Sequence, residues 1–162
     1  MGKSRRPALV VVAYGCNRGD CPSQIERALL SVRREVFVRG VSKPVVSEPY
    51  GVKNQPPFLN GVLFGYTRLA PFALLRFLKA VEREVGRKPR CRWCEREIDL
   101  DLIYYDDLVL EFEELKVPHP DRLNRPFVLG PLAELLPTFV DPLVRKTVRQ
   151  LYGELKEKGK AL

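Results

Sequence analysis

Apolar and polar positions along the chain follow two alternating periods. Leu9 to Tyr14 is a short, continuous apolar run, the pattern of a buried strand. Gly15-Cys-Asn-Arg-Gly-Asp20 breaks it, with two glycines for a tight turn. Pro22 suits the first turn of a helix, with Asp20 or Cys21 near its cap. Ile25, Leu29, Val32 and Val36 then recur at spacings of 4, 3 and 4, one apolar helical stripe. β-Branched residues dominate from Val36 to Ser47 and predict a strand there. Glu48–Pro57, with three prolines and one glycine, reads as a loop.

The second half repeats this rhythm. Phe58–Thr67 reads as a strand, and Pro71 opens a helix in which Leu74, Leu78, Val81 and Val85 repeat the 4, 3, 4 spacing before Gly86 ends it. A basic stretch, Arg87–Arg96, precedes a strand over Glu97–Tyr105, a turn at Asp106–Asp107 and a short strand over Leu108–Phe112. Pro118-His119-Pro120 interrupts the chain, and Phe127–Leu136 and Leu143–Leu155 read as helices. The order β-α-β-β-α-β predicts an α+β fold with a ferredoxin-like core. Helices would pack on an antiparallel sheet, with helical additions at the C-terminal end. No linker or repeat divides residues 1–162, so one domain is expected.

Charge narrows the choice of partner. Twenty-eight Lys and Arg against 20 Asp and Glu give +8, a surface that attracts polyphosphates. No apolar run approaches the ~18–20 residues of a membrane helix. The stretch Ala8–Ala13 behind Lys3, Arg5 and Arg6 is too short for a secretory signal, so a cytoplasmic location is expected. His119 is the only histidine, which excludes a multi-histidine metal site within one chain. Cys91 and Cys94 have C-x-x-C spacing, and with Cys16 and Cys21 leave three readings open: a zinc site, disulfides or plain thiols.

The most informative stretch is Arg96-Glu-Ile-Asp-Leu-Asp-Leu-Ile-Tyr-Tyr105. In a strand, Asp99 and Asp101 share one face while Ile98, Leu100 and Leu102 take the other. Two such carboxylates suit Mg²⁺, whose remaining positions go to water and phosphate oxygens. By itself Asp-x-Asp is a weak motif, more often a pair of ordinary surface acids. The arginines of the preceding loop, which pair with phosphate through fixed geometry, turn the combination towards phosphoryl transfer. A Mg-dependent nucleotidyltransferase would need a Gly-Ser-type turn before the acids and usually a third carboxylate. An RNA-binding module on the same core would need exposed aromatics on its central strands, and paired acids would repel a phosphate backbone.

Arg92-Trp-Cys-Glu-Arg96, Ile98-Asp-Leu-Asp-Leu-Ile-Tyr-Tyr105, Val117-Pro-His-Pro120 and Arg125-Pro-Phe-Val-Leu-Gly-Pro-Leu-Ala-Glu-Leu-Leu-Pro137 stand in this order. Together they resemble the 6-hydroxymethyl-7,8-dihydropterin pyrophosphokinases of folate biosynthesis. Upstream, Tyr14-Gly-Cys-Asn17 is similar to that family's strand-end G-S-N, and Gln55-Pro-Pro-Phe-Leu-Asn60 to its pterin segment. Glu82 and Gly86-Arg87 match the end of its second helix.

The resemblance implies transfer of pyrophosphate from ATP to the pterin hydroxymethyl group, with release of AMP. It implies two Mg²⁺ ions on Asp99 and Asp101, with Arg87 and Arg96 as the catalytic arginines. Glu82, Lys88, Trp93, Lys116, His119 and Arg125 would bind ATP, with Trp93 covering the site. Ser47, Tyr50, Phe58, Asn60 and Phe127 would bind the pterin, the two phenylalanines sandwiching its ring. The partners implied are these two small molecules, with no nucleic acid and no membrane, and a monomer is expected. Cys94-Glu95 replaces the family's Gly-Pro, and Ser47-Glu48-Pro49 replaces T-P-P. Glu95 would weaken triphosphate binding unless it points away.

Overall fold

The computed structural model of the protein describes residues 3–48, 55–91 and 94–159. Along β1 (Lys3–Cys16), Val10, Val12 and Tyr14 enter one apolar core and Val11 and Ala13 enter another. A strand buried on both faces needs no polar alternation, which accounts for the unbroken apolar run. Gly15-Cys16 leads into α1 (Cys21–Val32), capped by Asp20, whose side chain accepts from the Ser23 amide.

The apolar stripe continues past the helix for a tertiary reason. Val36 is not the last helical residue but the first of β2 (Val36–Val41), and it faces the same core as Ile25, Ala28 and Val32. The strand expected over Val36–Ser47 is also two strands. Pro44, which has no amide proton for a ladder, separates β2 from β3 (Val45–Ser47). Both pair antiparallel with β4 (Phe58–Leu69), which pairs antiparallel with β1. α2 (Pro71–Val85) ends at Gly86, whose φ of 113° is the left-handed cap expected of glycine. β5 (Asp99–Tyr105) completes the order β2-β4-β1-β5 and pairs antiparallel with β1.

Two small strands, β6 (Leu110–Glu111) and β7 (Lys116–Val117), form a separate ribbon that packs on β5. A cis Val117–Pro118 bond and a 3-10 turn over Arg122–Asn124 lead to α3 (Pro126–Leu135). The last helix starts later than its sequence pattern suggests. Residues 143–147 wrap around Asp141, whose carboxylate accepts from the Leu143 and Val144 amides. Only at Thr147, with a reciprocal bond to Gln150, does α4 (Val148–Glu157) begin.

The antiparallel sheet therefore carries helices on both faces. α1 and α2 bury Ile25, Leu74 and Leu78 against one, and α3 and α4 bury Leu129, Leu132 and Val148 against the other. Burying each such side chain stabilises by about 1.5–3 kcal/mol. Over the central strands, α3 and α4 cover the surface that an RNA-binding module would need exposed. Among the described residues, no helix is long and apolar enough to cross a membrane.

Candidate active site

Strand register assembles the site at one end of the sheet. Gly15 on β1 pairs with Asn60 on β4 and with Asp99 on β5, placing three residues in one row. In the next row on this face, Ala13 stands between Val62 and Asp101. The two smallest side chains thus occupy the middle strand, and a floor opens between Asn60 and the carboxylates. A Cβ at Gly15 would lie 2.9 Å from Asn60 Oδ1, so a side chain here would have to push the Asn60 amide aside.

Over the floor is a cleft of about 670 Å³, counting its open mouth. Phe58, Asn60 and Ser47 line one side, Asp99, Asp101 and Arg96 the other, with Phe127 and Arg125 from the start of α3. The Asn60 amide donates to Ser47 Oγ at 2.5 Å. Beyond Arg96 lies a second cleft of about 860 Å³, walled by Lys79, Arg83, Arg87, Lys88 and Arg90. A mostly apolar compartment and a cationic one meet at Arg96 and Asp99.

Each carboxylate is neutralised by arginine. Arg87 Nη1 bonds Glu82 Oε2 at 2.8 Å and Asp99 Oδ1 at 3.0 Å, and Arg96 Nη1 bonds Asp99 Oδ2 at 3.1 Å. Arg125 Nη1 reaches Asp101 Oδ2 at 3.5 Å. Lost hydration, and then the neighbouring Asp99 charge, raise the Asp101 carboxyl above the ordinary carboxylate range. Its side chain remains 32 % exposed, so water and cations reach it. Burial and then Asp99 also raise Glu82.

His119 is held by its backbone, the amide donating to the Ile103 carbonyl on β5. Nδ1 accepts from the Asp121 amide at 3.1 Å, so a neutral ring carries its proton on Nε2. Burial, and then the Arg125 charge, lower its pKa to about 4. His119 is therefore a neutral donor at pH 7. The unfolded chain takes up this proton first, near pH 6.5, so His119 stabilises the fold fully above that value and progressively less down to about 4. Denaturant titrations should show wild type losing stability relative to His119→Gln as pH falls from 6.5 to 4. Parallel curves would contradict a half-buried histidine held neutral.

Residues 11–137 match the family described as 7,8-dihydro-6-hydroxymethylpterin-pyrophosphokinase (HPPK). The chain belongs to this family. The 2-amino-4-hydroxy-6-hydroxymethyldihydropteridine pyrophosphokinase of Aquifex aeolicus is 40 % identical over 147 residues, 91 % of this chain and 92 % of that protein. Its namesake in Pseudomonas aeruginosa is 42 % identical over 130 residues, 79 % of this chain and 80 % of that one. Some relatives are much longer: the chain spans 23 % of the folic acid synthesis protein FOL1 of Dictyostelium discoideum. The crystal structure of Plasmodium falciparum HPPK-DHPS superposes with a TM-score of 0.73 over 96 % of this chain and 46 % of that one. At 14 % identity this likeness concerns the fold.

Most HPPK-type positions read from the sequence converge on the paired clefts. Asp99, Asp101, Arg96, Arg125, Ser47, Phe58, Asn60 and Phe127 line the first, and Glu82, Arg87 and Lys88 the second. Glu82 is nearly buried, and it accepts from the Leu100 amide at 2.7 Å, tying α2 to the carboxylate strand. Lys116 is exposed on β7, and His119 follows the cis proline. Tyr50 and Trp93 lie outside the described residues.

The departures from the HPPK pattern have local explanations. Glu95 pairs with Arg18 at 3.8 Å, which turns it towards the loop after β1. Glu97, absent from the sequence-based site, bonds Arg90 at 2.6 Å, and this bond, outweighing burial, lowers its pKa to about 2. Asn17 joins three loops: it donates to Gln55 Oε1 and the Pro56 carbonyl, and its Oδ1 accepts from the Arg96 amide. The open cysteine question resolves as Cys16–Cys21 and Cys91–Cys94 disulfides, with neither zinc ligands nor free thiols. Thiol titration of the unreduced, denatured protein should find none of its four cysteines reactive, and four reactive thiols would contradict both bonds.

Proposed function

We propose that the chain transfers the β,γ-diphosphate of ATP to the hydroxymethyl oxygen of 6-hydroxymethyl-7,8-dihydropterin, for folate synthesis. That oxygen attacks Pβ and loses its proton, the bridge between Pα and Pβ breaks, and AMP leaves. The observation that carries this reading is the meeting, at Arg96, of a cleft that holds Phe58, Phe127, Asp99 and Asp101 with a cationic one.

Asn60, oriented by Ser47, would read the polar edge of the pterin, and Phe58 and Phe127 would hold its ring. Arg87 and Arg96 would release Asp99 to contact the transferred group, with Lys88, Arg125 and His119 on the rest of the triphosphate. We assign Tyr50, Trp93, Glu82 and Lys116 to the pterin and ATP sets on sequence resemblance. Opening the Asp99 and Asp101 ion pairs needs a competing cation. Among the described residues no group of three or more metal-type donors exists, so two carboxylates are what this chain offers. That donor set fits Mg²⁺, which takes its remaining ligands from phosphate and water. Bound there, Mg²⁺ would neutralise triphosphate charge. The strand order, with two interleaved βαβ units, supports a ferredoxin-like core in one domain.

AMP formation should require ATP, the pterin alcohol and Mg²⁺ together, stop with excess chelator and resume when Mg²⁺ is restored. AMP formed without the pterin, or in chelator, would overturn the assignment. Gly15→Ala tests the apolar cleft separately. Its Cβ, 2.9 Å from Asn60 Oδ1, would displace the Asn60 amide, and pterin KM should rise roughly tenfold, equivalent to about 1.4 kcal/mol. KM for ATP should change less than about 2-fold, and an unchanged pterin KM would remove Asn60 from the pterin site.

A further inference from the structure

Beneath the segment that carries His119 and Arg125 is a buried polar cluster that touches neither cleft. Arg122 is 4 % exposed and Asp141 is fully buried. Arg122 Nε and Nη2 donate to the two Asp141 oxygens at 2.5 and 2.9 Å, while Nη1 donates to the His119 carbonyl at 3.0 Å. Tyr104 donates its hydroxyl to Asp141 at 2.5 Å. One carboxylate thereby joins β5, the 119–125 segment and the turn before α4.

The placement is specific. Arg122 stands three residues after His119 and three before Arg125. Tyr104 stands three residues after Asp101, and Ile103 beside it receives the His119 amide. The cluster therefore fixes two phosphate-side groups relative to the strand that carries the carboxylates. Asp141 also lies beyond residue 137, where the family match ends. Stability alone is a weak reason for such a pair, because apolar residues of similar volume often replace buried ion pairs without loss.

We propose that Arg122 and Asp141 are positioning residues for ATP, setting how His119 and Arg125 sit over Asp99 and Asp101. This rests on the ATP-dependent reading above. Neither residue lines either cleft.

Two variants test the proposal, both assayed after calorimetry has established that they are folded. Asp141→Asn should raise KM for ATP about tenfold, equivalent to about 1.4 kcal/mol, and leave KM for the pterin within about 2-fold. The double variant Arg122→Met, Asp141→Asn removes the buried ion pair but keeps an acceptor for the Tyr104 hydroxyl and the Leu143 and Val144 amides. It should recover wild-type thermal stability yet keep the raised KM for ATP. A purely structural pair predicts the opposite, with ATP affinity returning as stability returns, and that result would overturn the proposal. Should Asp141→Asn fail to fold, the double variant alone decides. Equal rises in both KM values would also overturn it. Wild-type protein that forms no AMP would instead remove the reading on which it rests.

Discussion

Asp101→Asn should abolish turnover and at the same time make the protein more stable. The carboxylate is partly buried next to Asp99, and both effects make its charged form less favourable in the folded state. The folded protein holds this proton to higher pH than the unfolded chain does. Its contribution is therefore favourable at low pH and is lost as pH rises through the raised folded value. Replacing Asp101 by asparagine removes that loss, and the melting temperature of the variant relative to wild type should climb as pH increases from 4 to 8. Turnover should fall by at least about 10³-fold, because the developing charge loses its cation anchor. Asp99→Asn should be equally inactive without the stability gain, since it leaves Arg87 and Arg96 without their shared partner. An active variant at either position would contradict the metal assignment, and an Asp101→Asn protein less stable at pH 8 would contradict the electrostatics.

Arg96→Ala carries the second large expected effect. Its guanidinium borders both clefts and bonds Asp99, so it is placed to follow the diphosphate as it transfers. Arginines that contact a transferring phosphoryl group contribute about 10³–10⁵ in kcat. Arg96→Ala should lose at least about 10³-fold in kcat with KM for the pterin within about 3-fold. Arg87→Ala should lose kcat similarly but also melt earlier, because Arg87 neutralises the nearly buried Glu82. Steady-state kinetics beside calorimetry separates the two. A change in KM alone at Arg96 would mean that it binds ground-state substrate and does not act in the transition state.

Much of this was legible in sequence because it is local. The run Leu9–Tyr14, the two helical stripes and the Asp-x-Asp alternation each report a single strand or helix whose faces differ in burial. Val36 fits both the helical stripe and the strand start for an instructive reason: a strand residue that returns to the core of the preceding helix prolongs that helix's period. Leu143 and Val144 mimic a helix start, yet the Asp141 carboxylate captures their amides first. The site is harder to read, because Asn60, Gly15 and Asp99 meet only through strand register. Arg122 and Asp141 are 19 residues apart with no periodic relation, so nothing in the sequence announces their pairing. Glu95 looked hostile to triphosphate until the loop carrying Arg18 was placed beside it.

The central claim is that a diphosphate moves as one unit, and ³¹P nuclear magnetic resonance of a completed turnover tests it directly. With ATP, Mg²⁺ and 6-hydroxymethyl-7,8-dihydropterin, the spectrum should show AMP and two mutually coupled phosphorus signals of a pterin diphosphate ester. ADP with a single uncoupled phosphomonoester signal would contradict the account.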